Sequence, residues 1–306
     1  MDRLPEDAVD AINDVSGSHP GHRAAHAKGT LCAGTFTATK EAARLTRAPH
    51  MQGDTLRATV RFSNGGGNPE MPDYSREGRG IAIKLYLPDG SKTDMVGLSV
   101  PAFFVRTPED FVEFTRLRKP DPETGKPDLG PLGEWLGRHP EAGSAIQASM
   151  SAEPPASYAH VAYNGIHSFR WENAEGKARW IRFTIEPEAG EATISKEEAR
   201  ELGKDYLQEE IVQRLEREPM AFRLVVRLGE EGDPVEDPTA IWPEERETVV
   251  AGRLEVTGLE TEREQGDDVL VFDPTRVTDG IEPSDDPVLR YRPEVYGLSY
   301  ERRTSR

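Results

Sequence analysis

Alternation of apolar and polar positions marks the strands of this chain. In TLRATVRFSN (55–64), Leu56, Ala58, Val60 and Phe62 share one face, and Arg57, Thr59, Arg61 and Ser63 share the other. That period of two predicts a β-strand. TLCAGTFTAT (30–39) is β-branched and small with no helical stripe, and predicts another. GIAIKLYLPDG (80–90) predicts a strand closed by a Pro-Asp-Gly turn, with TDMVGLSV as its hairpin mate. SFRWENAEGKARWIRFTIEP (168–187) predicts a hairpin looped at 173–177, and AFRLVVRL and GRLEVTGLETE are further strands. Helices interrupt them. KEAARLTRAPHM predicts a short one stopped near Pro49. TPEDFVEFTRLR opens a helix with Thr107 as N-cap, Pro108 in the first position and Asp110 in the third. The Pro- and Gly-rich stretch 119–156 holds one short helix at LGEWLGRH, and 195–218 predicts a long helix opened by Ser195 with Glu198 three residues on. PVLRYRPEVYGLSYERR near the C-terminus carries Arg and Tyr at helical spacing.

Six or more strands with charged outer positions favour antiparallel pairing, and the fold class expected is α+β, a closed antiparallel barrel with helices packed outside. No repeat or low-complexity tract divides the chain, so residues 1–306 are expected to form one domain, with an N-terminal arm at 1–18 and the 195–218 helix between barrel strands. Arg61 and Ser63 are expected to point inward, where they would need a polar guest.

Composition narrows the function. A net charge of −17 over 306 residues argues against a nucleic-acid partner. No run of about 18 apolar residues occurs, so no membrane span is expected. The acidic start MDRLPEDAVDAIND lacks the apolar core of a signal peptide, and Cys32 is the only cysteine; a cytoplasmic protein without disulfides is expected.

HPGHRAAHAKG (19–29) places three histidines within eight positions. His22 and His26 are four apart, as in a helical zinc pair, but Arg-Ala-Ala intervenes with no Glu where a zinc hydrolase needs it, and Pro20 and Gly21 oppose a helix start. Taken alone, the segment argues against zinc and is compatible with histidines in a solvated N-terminal arm.

Six stretches in order alter that balance. RAAHAKG before a strand is similar to the distal-histidine segment of catalases. RFSNGGG, GRGIAIKLYLPDGSKTDMVGLSVPAFFVRTPEDF, NGIHSFRW, DPTAIWPEE and FDPTRVTDGIEPSDDPVLRYRPEVY resemble the family's later motifs, so that the resemblance spans residues 20–303. It implies a haem housed in an eight-stranded antiparallel β-barrel, with Tyr296 as axial iron ligand. A phenol of pKa near about 10 ligates poorly until deprotonated; Arg292, four residues earlier on the same helical face, would stabilise the phenolate. His167 and Asp286 would extend the hydrogen bonding behind Arg292. His26 would be the distal acid–base group that moves a proton between the two peroxide oxygens, with Ser63 on its other ring nitrogen fixing the tautomer. Arg23, Arg61 and Arg303 fall where the family pairs the haem propionates, and Phe111 where it stacks a ring near the haem. His19 and His22 have no assigned role and are expected to be solvated.

One position departs from the family. Where catalases carry an asparagine after Asp-x-Val-Gly, this chain has Leu98, which removes an amide donor and adds apolar volume above the iron. Disproportionation should weaken, cleavage of the first peroxide should survive, and organic hydroperoxides should be better accepted. Ser99 does not replace the amide, since a neighbouring strand residue points the other way. The longer N-terminal arm and C-terminal segments of typical catalases are absent, which argues against their interlocked tetramer and bound NADPH, leaving homo-oligomerisation open. The function expected is a peroxidase dependent on haem b and its iron, acting on hydrogen peroxide or alkyl hydroperoxides and oxidising small organic electron donors, with weak catalase activity. The alternatives are a true catalase, a hydroperoxide isomerase or dehydratase, and a haem-binding or sensing protein.

Overall fold

The computed structural model describes residues 3–262, 266 and 269–305. Eight antiparallel strands follow one another around a barrel: β1 (Gly29–Ala38), β2 (Thr55–Asn64), β3 (Arg79–Tyr86), β4 (Lys92–Leu98), β5 (Tyr163–Glu172), β6 (Ala178–Pro187), β7 (Met220–Leu228) and β8 (Thr248–Leu259). Their order is β4-β3-β2-β1-β8-β7-β6-β5, and the ring closes where Leu98 of β4 pairs with Asn164 of β5. The Asn164 side-chain amide reinforces the seam by donating to the carbonyls of Leu98 and Val100 at 3.4 and 3.3 Å. A short ninth strand, β9 (Ile281–Pro283), adds to the outside edge of β5.

All eight strands send apolar side chains into one core, among them Cys32, Val60, Phe62, Ile81, Met95, Phe183, Phe222 and Leu254. Phe62 has no exposed surface, stacks on Tyr158 at 5.6 Å and meets Phe222 in a tilted contact at 5.8 Å. Truncating such a ring costs about 3–5 kcal/mol. The two faces of β2 therefore separate as the alternation predicts, but their directions correct the expectation from sequence. Val60 and Phe62 fill the barrel, so Arg61 and Ser63 point out of it. Both are nevertheless buried, because other chain covers that outer face.

Among the described residues, eight α-helices lie around the barrel: α1 (Leu4–Ser16), α2 (Lys40–Leu45), α3 (Pro108–Leu117), α4 (Leu129–Arg138), α5 (Gly143–Ser151), α6 (Lys196–Leu202), α7 (Tyr206–Leu215) and α8 (Pro287–Thr304). The segment expected as an N-terminal arm holds α1, which packs on α3 and α8. The helix expected over 195–218 is two helices, α6 and α7. Its capping box at Ser195 and Glu198 is present, but Gly203 stops α6 with φ of 110°, a left-handed conformation that glycine adopts without strain. No helix among the described residues is long and apolar enough to cross a membrane.

Candidate active site

His26 lies in the segment leading into β1 and is the sole described non-glycine residue with positive φ, at 55°. That backbone is costly and persists only when its surroundings fix it. Here the turn after β2 does so: the amides of His26 and Ala27 donate to the carbonyls of Gly65 and Gly66 at 3.2 and 3.0 Å, and the Asn64 amide donates to Lys28 O at 3.0 Å. A buried polar clamp stands behind this turn. The Asp73 carboxylate takes Lys28 Nζ at 2.7 Å, Asn64 Nδ2 at 2.8 Å and the Leu207 amide at 2.8 Å, while Lys28 also pairs with Asp205 at 2.6 Å. Nothing in the sequence motif singles out Asp73.

The imidazole of His26 meets Ser63 Oγ through Nδ1 at 3.0 Å, which leaves Nε2 for a substrate. The residue as a whole is half-buried. Burial, followed by the charges of Arg61, Arg292 and Arg23, pushes its pKa down to about 3, against a weaker opposing hydrogen bond at the Asn64 backbone. The ring is neutral at ordinary pH and ready to accept a proton.

Strand register sets what surrounds it. Gly29, Ser63, Gly80 and Leu98 are successive partners across β1, β2, β3 and β4, one row on one outer face. A Cβ on Gly80 would lie 2.8 Å from His26 Cε1, 2.9 Å from Nδ1 and 3.0 Å from Ser63 Oγ. The ring therefore lies against bare backbone, and Leu98 is the next side chain along the row. Ser99 is engaged elsewhere, its Oγ accepting from the Arg79 amide at 2.8 Å.

The second half of the site comes from α8. Arg292 Nε and Nη2 both donate to Tyr296 Oη, at 2.8 and 2.5 Å, the arrangement that stabilises negative charge on that oxygen. Asp286 caps α8, accepting from the Val288 and Leu289 amides with Oδ1, and holds His167 Nδ1 with Oδ2 at 2.6 Å. His167 sits in a bulge: Gly165 to Phe169 of β5 opposes only Ile181 to Phe183 of β6, and such bulges re-aim side chains. Burial lowers the His167 pKa most, and the Asp286 hydrogen bond opposes this. The charge of Arg292 also lowers the pKa of both His167 and His26, so α8 lies within electrostatic range of the His26 imidazole.

Arg23 and Arg303 converge on Leu270 O, each at 2.8 Å, and Arg61 is buried with Nη2 3.3 Å from Ala27 O. Phe111 packs with Phe103 and Phe104, and lies against the Ala8, Ala11 and Val112 cluster on which Tyr291 and Val295 of α8 also pack. Of the remaining histidines, His19 bonds Ser16 O at 2.9 Å and His22 is exposed; they do not join His26. DPTAIWPEE also acquires a structural role. Its Asp237 and Ala240 carbonyls accept from the buried Arg182, which lies over the Trp242 ring and donates to Ser168 beside His167.

This donor set fits an iron-bearing planar group with carboxylate arms. An oxygen prepared to carry negative charge suits ferric iron, a neutral imidazole is available for proton transfer, and clustered arginines can pair buried anions. The bare backbone at Gly80 keeps the imidazole flush with the barrel wall.

The catalase family profile matches residues 8–305. A catalase-related peroxidase of Mycolicibacterium paratuberculosis is 44% identical over 301 residues, covering 98% of this chain and 95% of that protein. One from Synechococcus elongatus is 34% identical over 300 residues, 98% of this chain and 88% of that protein. Among solved structures, a fungal catalase superimposes with a TM-score of 0.85 at 24% identity, over 94% of this chain and 61% of that one.

Proposed function

The chain belongs to the catalase family, and from that premise we propose that it is a haem peroxidase, reducing hydrogen peroxide or organic hydroperoxides at the expense of organic donors, with weak catalase activity. Haem, of the b type in this proposal, supplies when bound an iron that splits the peroxide bond and passes on its oxidising power. Tyr296 Oη would hold the iron, with Arg292 stabilising its charge, and the Asp286–His167 pair would steady that guanidinium. Arg23, Arg61 and Arg303 would pair the propionates, and Phe111, in its aromatic cluster with Phe103 and Phe104, would flank the group. NADPH has no part in this scheme.

His26 performs the proton chemistry. Nε2 accepts the proton from the inner peroxide oxygen and returns it to the outer one, so that water or an alcohol leaves. Ser63 on Nδ1 keeps the ring oriented through both transfers. A pKa far below neutrality keeps the base free before the reaction and makes its conjugate acid quick to release the proton.

The observation that favours a peroxidase over a catalase is the row that ends at Leu98. Disproportionation needs a second hydrogen peroxide held beside His26 while it is oxidised. The side chain next to Gly80 has no hydrogen-bonding group to hold it, and its apolar surface suits the alkyl part of an organic hydroperoxide. The test is oxygen evolution from hydrogen peroxide by haem-loaded protein, with donor oxidation followed in the same sample. Rapid donor oxidation with scant oxygen is expected; brisk oxygen with little donor oxidised would make the protein a catalase. In Leu98→Asn, the ratio of oxygen release to donor oxidation should rise about tenfold, the worth of one hydrogen bond of about 1.4 kcal/mol. An unchanged ratio would remove Leu98 from the explanation.

A further inference from the structure

Peroxide reduction by one-electron donors obeys ROOH + 2 AH → ROH + H2O + 2 A•, so two electrons must reach the centre in each cycle. A donor larger than the peroxide has to enter the site or pass its electrons through the protein. Helix α8 offers such a route. Tyr300 lies four residues beyond Tyr296, on the same helical face and about 6 Å further along the axis. A different face of α8 is occupied: Tyr291 and Val295 pack in the cluster with α1 and α3, and Arg302 pairs with Asp10 of α1 at 2.6 Å. Tyr300 is half-buried and keeps surface in contact with solvent. The Arg303 guanidinium covers its ring at 5.0 Å from the centroid, and Arg303 is itself buried where it donates to Leu270 O beside Arg23. The aromatic ring thus bridges solvent and the cationic edge of the site.

We propose that Tyr300 is an electron-entry site at which bulky phenolic donors are oxidised without entering the distal pocket; this rests on the haem-peroxidase function above. Tyr300 gives one electron inward to the oxidised centre and loses its phenolic proton to water. The neutral phenoxyl then takes a hydrogen atom from the donor, which leaves as a phenoxyl radical, and Tyr300 is restored. Two such passages supply the two electrons of the equation, and the protons released to water balance those taken up as ROOH becomes ROH and H2O. The positive charge over the ring disfavours a radical cation, so proton loss accompanies electron loss, and it selects neutral or anionic phenols over cationic donors. Trp135 is the obvious competitor as a redox-active side chain, but it is fully buried, stacked on His139 and tilted against Phe114.

The test treats haem-loaded protein with peroxide in the presence of a nitroso spin trap and locates the adduct by peptide mass spectrometry. The adduct is expected on Tyr300 in the parent protein and lost in Tyr300→Phe. The same substitution should lower the oxidation rate of a bulky phenol, relative to a small donor such as nitrite, by at least about tenfold. Tyr300→Trp should restore that ratio, and Trp135→Phe should leave it intact. An adduct on Trp135, or a bulky-to-small donor ratio unchanged in Tyr300→Phe, overturns the proposal while the peroxidase function stands. Parent protein that binds haem yet oxidises neither donor overturns the peroxidase function itself.

Discussion

At Gly80, a single hydrogen in place of a methyl group decides where the His26 imidazole can lie. A Cβ there would come within 3.0 Å of two ring atoms of His26 and of Ser63 Oγ, closer than real contacts allow. The neighbours are a ring in a left-handed backbone pinned by Gly65 and Gly66 and a hydroxyl on a barrel strand, and neither is the free end of a flexible side chain. In Gly80→Ala the imidazole should therefore move by about 1 Å, and the rate of peroxide cleavage should fall about 100-fold, the usual cost of such a misplacement. Haem content should hardly change, since Tyr296 and the arginines are untouched. Stopped-flow measurement of the peroxide step, with haem quantified beside it, checks this; a parent-like rate would mean that the ring need not lie against the wall. The contrast with His26, Ser63, Arg292 and Tyr296 is instructive. Those four can be nominated from the sequence because their chemistry is carried by side chains in short motifs, and the structure brings His26 to Ser63 and Arg292 to Tyr296. Gly80 and Asp73 act through register and through contacts with Ser63, Asn64 and Lys28 that close only when the strands pair, and a linear pattern does not contain that information.

Helix α8 shows how one element ties stability to the site. Asp286 uses one carboxylate oxygen to cap the helix and the other to hold His167, so the two roles separate by substitution. Asp286→Ala loses both and should destabilise the protein by about 2–4 kcal/mol, the sum of a lost cap and an orphaned buried ring. Asp286→Asn keeps an acceptor for the helix amides but removes the charge beside His167. It should remain within about 1 kcal/mol of the parent while the absorption spectrum of the haem-bound protein shifts. Urea midpoints and optical spectra of both variants check the pair of expectations. If Asp286→Asn leaves the spectrum unmoved, the His167 contact does not reach Tyr296. Element boundaries were legible where side chains announce them, as with Thr107, which accepts from the Asp110 amide at 3.1 Å, and the Ser195–Glu198 box. The break at Gly203 and the bulge around His167 were not. A lone glycine in an otherwise helical pattern is tolerated in many helices, and a bulge is defined by the partner strand.

For the whole molecule, alternation separates the two faces of a strand but does not say which of them fills the barrel when both are buried. Polar residues such as Arg61 and Ser63 show that their face has a polar partner, and the partner here lies outside the barrel wall. Burial of titratable groups has a global consequence too. His50 is 2% exposed, in the turn of Pro49–Met51, with Thr278 Oγ1 at 3.2 Å from Nδ1, and burial holds its pKa down to about 4. His26 lies lower still, at about 3. In the unfolded chain both return to the ordinary value of 6.5. The unfolded state therefore binds more protons as the pH falls below 6.5, and stability that is fully present above that value is lost on the way down to the folded pKa values. For His50 alone the loss amounts to about 2 kcal/mol by pH 5. The net charge of −17 falls over the same range and relieves self-repulsion, an opposing trend shared by every variant. A difference measurement removes it. His50→Gln keeps a hydrogen-bonding group for Thr278 and does not titrate, so its stability curve between pH 7 and pH 5 should be shallower than the parent's by about 2 kcal/mol. Denaturant unfolding at both pH values checks this. Parallel curves would mean that His50 is not held neutral in the folded protein, and that the acid sensitivity of this fold originates elsewhere.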